Sequence, residues 1–420
     1  MKIAGCRKGF IVYIADFHIH SRFSRATSRD MHLDELAKWA SYKGVHLLGS
    51  ADFTHFQWYH ELREKLSETD RQGIYTFGGT DVILTTEVCH IYEKKGKNRK
   101  IHNIIFISSL ENAARLNRVL ERYADLNSDG RPILHIDAKD LVRIVNDSDE
   151  KGFVVPAHIW TPHFSLFGSN SGFDAIEECF EEMSGEIFAL ETGLSSDPSM
   201  NWMVSALDRF AFISNSDAHS PSKIGREANV FDKPFSFGEL RSILKYKNGN
   251  SFLYTVEYFP EEGKYHYDGH RNCDICLSPE ESEKNGNICP VCGKKLTVGV
   301  LHRIRQLSDR KRGERHRYSI PFRKVLPLSQ LMGLSMDKPA DSIAVRNRLA
   351  DVLRCAGSEL NILLESPLDD LKGRIDDDLL YLIGRMRKGA IEIRPGYDGE
   401  FGKIGIPAEA GKGKDTQSLF

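Results

Sequence analysis

At 420 residues the chain is longer than one hydrophobic core usually serves, so two or three domains are expected. Its 40% hydrophobic and 28% charged content is an ordinary globular balance, and no apolar run approaches the ~18 residues that span a bilayer, which excludes a membrane partner. Cys6, Cys89, Cys179 and Cys355 are scattered while Cys273, Cys276, Cys289 and Cys292 cluster, which excludes a secreted disulfide framework and points to a reducing, cytoplasmic compartment.

Residues 1–10 read as an N-terminal extension. Residues 11–250 then alternate short apolar runs with amphipathic stretches. The predicted strands are 11–15, 45–50, 81–86, 101–107, 153–156, 187–190 and 210–214. Helical patterns fall between them, the first carrying Leu33, Leu36, Ala37 and Ala40 and stopping at Gly44. Such alternation predicts an α/β barrel or an open parallel sheet. After residue 250 the texture changes. Residues 251–325 hold the cysteine cluster and a basic block, 326–405 have helical periodicity with a turn-rich end, and 406–420 form a small polar tail expected to be disordered.

Side chains at alternate positions of an extended segment point the same way, so His18 and His20, just past the first strand, share a face. Alone, such a pair is a weak signal. Yet Asp52 and His55 follow the second strand, Glu87 follows "DVILTT", His158 ends "FVVPAH", and Asp217 and His219 end "FAFISNSDAH". Strand C-termini of α/β barrels form one rim, where such enzymes do chemistry. His102 sits at a strand start and fits only if that strand runs antiparallel. Mixed imidazole and carboxylate ligands suit zinc, manganese or iron better than magnesium; zinc is expected, with Mg or Mn as alternatives, and two or three such ions imply phosphoester hydrolysis. A hydrolase of C–N bonds is compatible with the same ligands.

The ordered set "DFHIHS", "SADFTH", "TTEVCH", "KIHNIIFI", "VVPAHIW" and "SNSDAHS" resembles the metal-binding motifs of the PHP (polymerase and histidinol phosphatase) superfamily. That resemblance implies a distorted seven-stranded βα barrel with a trinuclear site, and metal roles for His18, His20, Glu87, His102, His158, Asp217 and His219. The chain departs from the pattern twice. Phe53 stands where the family has His, which leaves Asp52 or His55 as the ligand, and Arg25 and Ala26 stand where a further acid or His is usual.

Cys273-x2-Cys276 and Cys289-x2-Cys292 have the spacing of two knuckles holding one structural zinc. Directly after them, Lys294 to Lys324 contains eleven Lys or Arg against two acids, a candidate phosphate-backbone surface that includes Lys294, Lys295, Arg303, Arg305, Arg310, Lys311 and Arg312.

Barrel, knuckle pair, basic segment, helical region and "RPGYDGEFG", together with "HIWTPHFSLFGSNSGFDAIEECF" and "ALETGLSSDPSMNW", resemble the endonuclease Q family over essentially the whole chain. This resemblance implies a DNA repair nuclease cutting 5′ to deoxyuridine, deoxyinosine, xanthine and abasic sites in single- or double-stranded DNA. It leaves 3′-hydroxyl and 5′-phosphate ends. On this reading Asp217 and His219 belong to the catalytic metal cluster, and Arg22 and Arg25 are candidates to balance phosphate charge. Trp160 and Phe164 are candidates to line a base pocket or to wedge the duplex. The terminal Gln417-Ser418-Leu419-Phe420 resembles the start of a sliding-clamp-binding peptide. A histidinol-phosphatase-like phosphomonoesterase and a non-catalytic DNA-binding accessory protein are the competing readings.

Overall fold

The computed structural model describes residues 12–405. The first strand, Tyr13–Asp16, is buried at all of its positions. It pairs parallel with Leu47–Gly49 and antiparallel with Ala228–Phe231. These three lie at the middle of an eight-stranded sheet ordered Phe322–Lys324, Phe252–Glu257, Ala228–Phe231, Tyr13–Asp16, Leu47–Gly49, Thr80–Ile83, Ile74–Phe77, Ser67–Glu68. A four-stranded sheet runs Ile133–Leu134, Thr85–Lys94, Lys97–Phe106, Phe153–Pro156, and Ala189–Glu191 pairs parallel with Ala211–Ile213.

The three sheets share one core. Tyr13, Ala15 and Phe17 belong to it together with Leu47, Ile83, Phe106, Val155, Ala189 and Ile213. Ile14, on the opposite face of the strand, joins the outer core against the helices, as does Ile19 beyond the strand's end. Leu33–Lys43 is one of those helices, and it stops as expected at Gly44, whose φ of +79° lets its N–H reach the Ala40 carbonyl.

Several element boundaries differ from the sequence reading, each for a physical reason. The expected strand 81–86 is two strands, Thr80–Ile83 and Thr85–Lys94, because the chain changes sheets at Leu84. Thr85–Lys94 and Lys97–Phe106 extend as a ribbon to a turn at Gly96, φ +70°. Its outer half is charged and largely solvent-facing, so no apolar alternation marked it. Ala228–Phe231 and Ile74–Phe77 were not anticipated at all, and they make the sheet mixed rather than parallel. As His102 required, Lys97–Phe106 runs antiparallel to both of its neighbours.

Phe252–Glu257 and Phe322–Lys324 pair parallel at the sheet edge, and the cysteine segment lies between them in sequence. The C-terminal region is mainly helical (Leu328–Met336, Ile343–Ala356, Asp377–Arg387), and the buried Lys43–Glu359 ion pair at 2.7 Å ties it to the first helix. Among the described residues no helix is long and apolar enough to cross a membrane.

Candidate metal centre

Two groups of ligand atoms converge where the first strand ends. One is His18, His20, Glu87 and Asp217, the other Glu87, His102 and His158, and Glu87 is common to both. The Glu87 carboxylate is buried, with Oε1 2.8 Å from His102 Nδ1 and 3.0 Å from His158 Nε2. Its Oε2 lies 3.3 Å from His20 Nε2 and 3.5 Å from His18 Nε2. Burial alone would raise the Glu87 carboxyl, but the His102 and His18 imidazoles and the Arg131 guanidinium hold it well below its ordinary range. Burial takes His102 down to about 4, which leaves its imidazole neutral, the form that ligates a metal.

The donors fit divalent metals. His18 Nε2 is a buried atom with no hydrogen-bond partner in the protein, while its Nδ1 is held by Glu191 at 3.0 Å. His20 is built alike, its Nδ1 facing Asp52 at 3.2 Å and its Nε2 facing Asp217 at 3.1 Å. A carboxylate on the far nitrogen fixes a ligating imidazole's tautomer and orientation. His158 uses Thr161 for that purpose at 3.2 Å.

The backbone supports this convergence. His158 and Asp217 have φ of +30° and +48°, a conformation costly for non-glycine residues and concentrated at functional sites. A Cβ on Gly193 would stand 2.4 Å from the His158 Cβ, so only glycine fits beneath that ligand.

The second strand's residues lie outside both groups of ligand atoms. Asp52 is fully buried, and its Oδ2 accepts from the Ser21 N–H, the Ser21 hydroxyl and the Ser24 hydroxyl at 2.7, 2.6 and 2.9 Å. It positions His20 and is in neither ligand group. His55 turns away and stacks on Phe23 with ring centres 4.2 Å apart, and Phe53 is wholly within the core. His219 also lies outside both groups. Its ring sits 4.4 Å from that of His20, with Nδ1 2.9 Å from the Asp217 carbonyl oxygen.

Arginine placement differs from expectation as well. Arg22 pairs with Glu61 at 2.7 Å and Arg25 with Asp129 at 3.3 Å, and neither pairs with a carboxylate of the ligand groups. The arginine that reaches the centre is Arg131, 3.1 Å from Glu87 Oε2, which no motif marked. Trp160 is 1% exposed, donates to Asn201 at 2.7 Å and packs on Phe167 as a core residue. Phe164 is half-buried, has φ +58° and lies 5.1 Å from the His102 ring, with the Lys100 ammonium 5.4 Å above it.

In the cysteine segment a histidine joins three of the four thiols. His270, Cys273, Cys289 and Cys292 bring their ligand atoms within 4.8 Å of one another. Cys276 is in the strand Ile275–Leu277, with its thiol 3.8 Å from the Pro395 carbonyl and pushed up to about 11 by burial. The chain reverses at Arg271–Asp274, where Asp274 has φ +52°, and this turn folds His270 and Cys273 together onto the Cys289 knuckle. Against burial, the Val291 and Cys292 backbone N–H groups bring Cys289 down to about 6, favouring the thiolate a metal needs.

Much of the basic block is internally engaged. Arg303 binds the Phe167 and Phe173 carbonyls and Asp174, Arg305 pairs with Glu280 and Glu283, Arg310 is bidentate on Asp208, and Arg312 lies 3.4 Å from Glu261. Acids distant in sequence meet these arginines only in the fold, so the block's composition overstated its free charge. Lys294, Lys295 and Lys311 are exposed.

No family model matches the chain. It is 31% identical to YqxK of Bacillus subtilis over 408 residues, covering 93% of this chain and 98% of that protein. It is 32% identical over 253 residues to MJ0043 of Methanocaldococcus jannaschii, covering 58% of this chain but only 31% of that longer protein. The lesion-specific endonuclease PfuEndoQ of Pyrococcus furiosus superposes with a TM-score of 0.85 at 29% identity, over 96% of this chain and 98% of that one. Endonuclease Q in complex with a 27-mer duplex substrate, an abasic lesion at its active site, gives a TM-score of 0.83 at 28% identity over 97% and 99%. Full-length likeness in sequence and in structure makes the chain a member of the endonuclease Q family.

Proposed function

We propose that the protein is a metal-dependent DNA repair endonuclease. It would cut the phosphodiester bond 5′ to deoxyuridine, deoxyinosine, xanthine and abasic sites, leaving 3′-hydroxyl and 5′-phosphate ends. The observation that carries this reading is the buried Glu87 carboxylate shared by two ligand groups, in a chain whose relative was crystallised with an abasic duplex at its active site. Two divalent metals, zinc first and magnesium or manganese as alternatives, would be held by His18, His20 and Asp217 on one side of Glu87 and by His102 and His158 on the other. When bound, such a pair polarises a phosphoryl oxygen and supplies hydroxide near neutral pH. A third ion of the superfamily's cluster lacks its usual ligands, since Phe53 is in the core and Arg25 points at Asp129.

The chain's own groups do the rest. Asp52 and Glu191 hold the two imidazoles in register, and Arg131 offsets the Glu87 charge. His219 is assigned to the phosphate side of the site, being 31% exposed beside His20. Opening a damaged pair costs less than opening a sound one, and Phe164, next to His102, is placed to stack on an extruded nucleotide. We read the three sheets as one distorted seven-stranded barrel, and the module at residues 270–292 as a structural zinc site with ligands His270, Cys273, Cys289 and Cys292. The sliding-clamp contact through Gln417–Phe420 lies outside the described residues and is proposed from sequence alone, as is a cytoplasmic location.

The test incubates the purified protein and divalent metal with duplexes carrying one deoxyuridine, deoxyinosine or abasic site, alongside a small phosphomonoester. A nick 5′ to the lesion supports the proposal, and turnover of the monoester alone contradicts it. Tight binding with neither product identifies an accessory protein.

A further inference from the structure

The sequence presents residues 294–324 as one basic surface. In the fold its charges serve two different purposes. Arg303, Arg305, Arg310 and Arg312 meet acids or carbonyls of other segments, so their charge is largely spent inside the protein. Arg303 fastens the helix Val300–Leu307 to the loop that follows His158, and Arg310 fastens the next turn to Asp208.

Three cations of the adjoining loop are different. Lys311, Arg315 and Arg317 are exposed and have no acidic partner within 4.0 Å among the described residues. Arg315 lies 5.9 Å above the Trp202 ring, and Arg317 lies 4.4 Å above the Tyr318 ring, which is itself 58% exposed. A guanidinium laid on an aromatic face keeps its N–H fork in a fixed plane, which lowers the entropy lost on gripping a phosphate. Glu314 is the only acid among residues 311–319, so the surface stays net positive.

The loop is held at both ends. The N–H groups of Asp309 and Arg310 donate to the Met203 carbonyl at 3.1 Å, and the Asp309 carboxylate takes the Ser205 N–H at 2.8 Å. At the other end Ile320 is buried and Phe322–Lys324 joins the main sheet. Between them the chain turns at Glu314 N–H to Lys311 carbonyl, 3.2 Å, with Gly313 at φ +96°. Its anchor, residues 202–205, belongs to the connection leaving the strand that ends in Glu191, the residue holding His18. From these anchors the loop runs along the side of the main sheet, with Arg312 reaching Glu261 past the end of Phe252–Glu257 and Ile320 packing beside Gly249 ahead of its start. A cleft of about 650 Å³ runs from Lys311 and Arg312 to Glu280 and Glu283 of the cysteine module.

We infer that Lys311, Arg315 and Arg317 form a preordered grip on the phosphate backbone of duplex DNA that does not read sequence, while Arg303, Arg305 and Arg310 are rivets of the fold. This inference rests on the nuclease reading for its choice of partner.

The test measures affinity of the metal-loaded full chain for an undamaged duplex across a salt series, and single-turnover cutting of an abasic duplex at saturating enzyme. Each phosphate contact contributes about 0.9 to the slope of log affinity on log salt, so Lys311→Ala/Arg315→Ala/Arg317→Ala should lower that slope by about 2.7 with the saturated cutting rate retained. Arg305→Ala should leave the slope unchanged. So should Lys151→Ala/Lys233→Ala, on the connections before Phe153–Pro156 and after Ala228–Phe231 and outside the basic segment. An unchanged slope in the triple variant, or an equal loss in either control, overturns the inference. A wild type that binds but leaves the abasic duplex whole refutes the nuclease reading, and the slopes still decide this one.

Discussion

The metal centre and the cysteine module are both clusters of ligating side chains, yet they are built in opposite ways. The module draws its four candidate ligands from residues 270 to 292, so a single turn and a single knuckle place them. The centre draws six from five separate stretches between His18 and Asp217, and only the pairing of whole strands brings them together. Local spacing announces that a site exists but leaves its membership open, because a residue six positions away, His270 for Cys276, can take the expected one's place. Strand register hides the site from any spacing rule, yet once formed it leaves each ligand little freedom.

The largest expected effects fall on the shared residue. Glu87→Gln and Asp217→Ala should bring cleavage below detection while leaving binding to undamaged duplex near wild type, read by nicking and by anisotropy. Undiminished cutting by either variant would remove that residue from the centre. Next comes the module. His270→Ala should lose the structural zinc and lower the melting temperature, and Cys273→Ser should do the same, since structural zinc contributes about 10–16 kcal/mol of folding free energy in small modules. Cys276→Ala should keep its zinc, and a zinc-free Cys276→Ala protein would restore the four-cysteine reading.

Second-sphere changes should be smaller. Asp52→Asn frees His20 to reorient and should cost about 10–100-fold in metal affinity or activity. The mildest pair contrasts two aromatics of one loop. Trp160→Phe forfeits its hydrogen bond to Asn201, about 1 kcal/mol of stability, with lesion discrimination unchanged. Phe164→Ala should weaken discrimination between abasic and sound duplex with little change in melting temperature. Reversal of that pattern would place the nucleotide pocket elsewhere.

How much of this was legible before folding depends on the kind of signal. The strand-end positions of His18, His20, Glu87, His158 and Asp217 could be read from apolar runs that stop at a polar residue. His102 could be included only by supposing an antiparallel strand, which the ribbon Thr85–Phe106 supplies. Asp52 was recognised as belonging to the site, but whether it ligates or supports a ligand depends on a distance across 32 positions in the chain. Arg131 had no signal, since it follows an irregular connection and reaches Glu87 from 44 residues away. The basic block misled for the complementary reason. Composition counts charges and cannot see the distant acids, such as Asp174 and Asp208, that neutralise them.

The central claim is that one buried carboxylate joins two metal subsites. A crystal of the zinc- or manganese-loaded protein, examined by anomalous scattering, tests it directly. Two peaks are expected about 3.5–4 Å apart astride the Glu87 carboxylate, one near His18, His20 and Asp217 and the other near His102 and His158. A single peak away from Glu87, or one coordinated by Asp52 or His55, would contradict it.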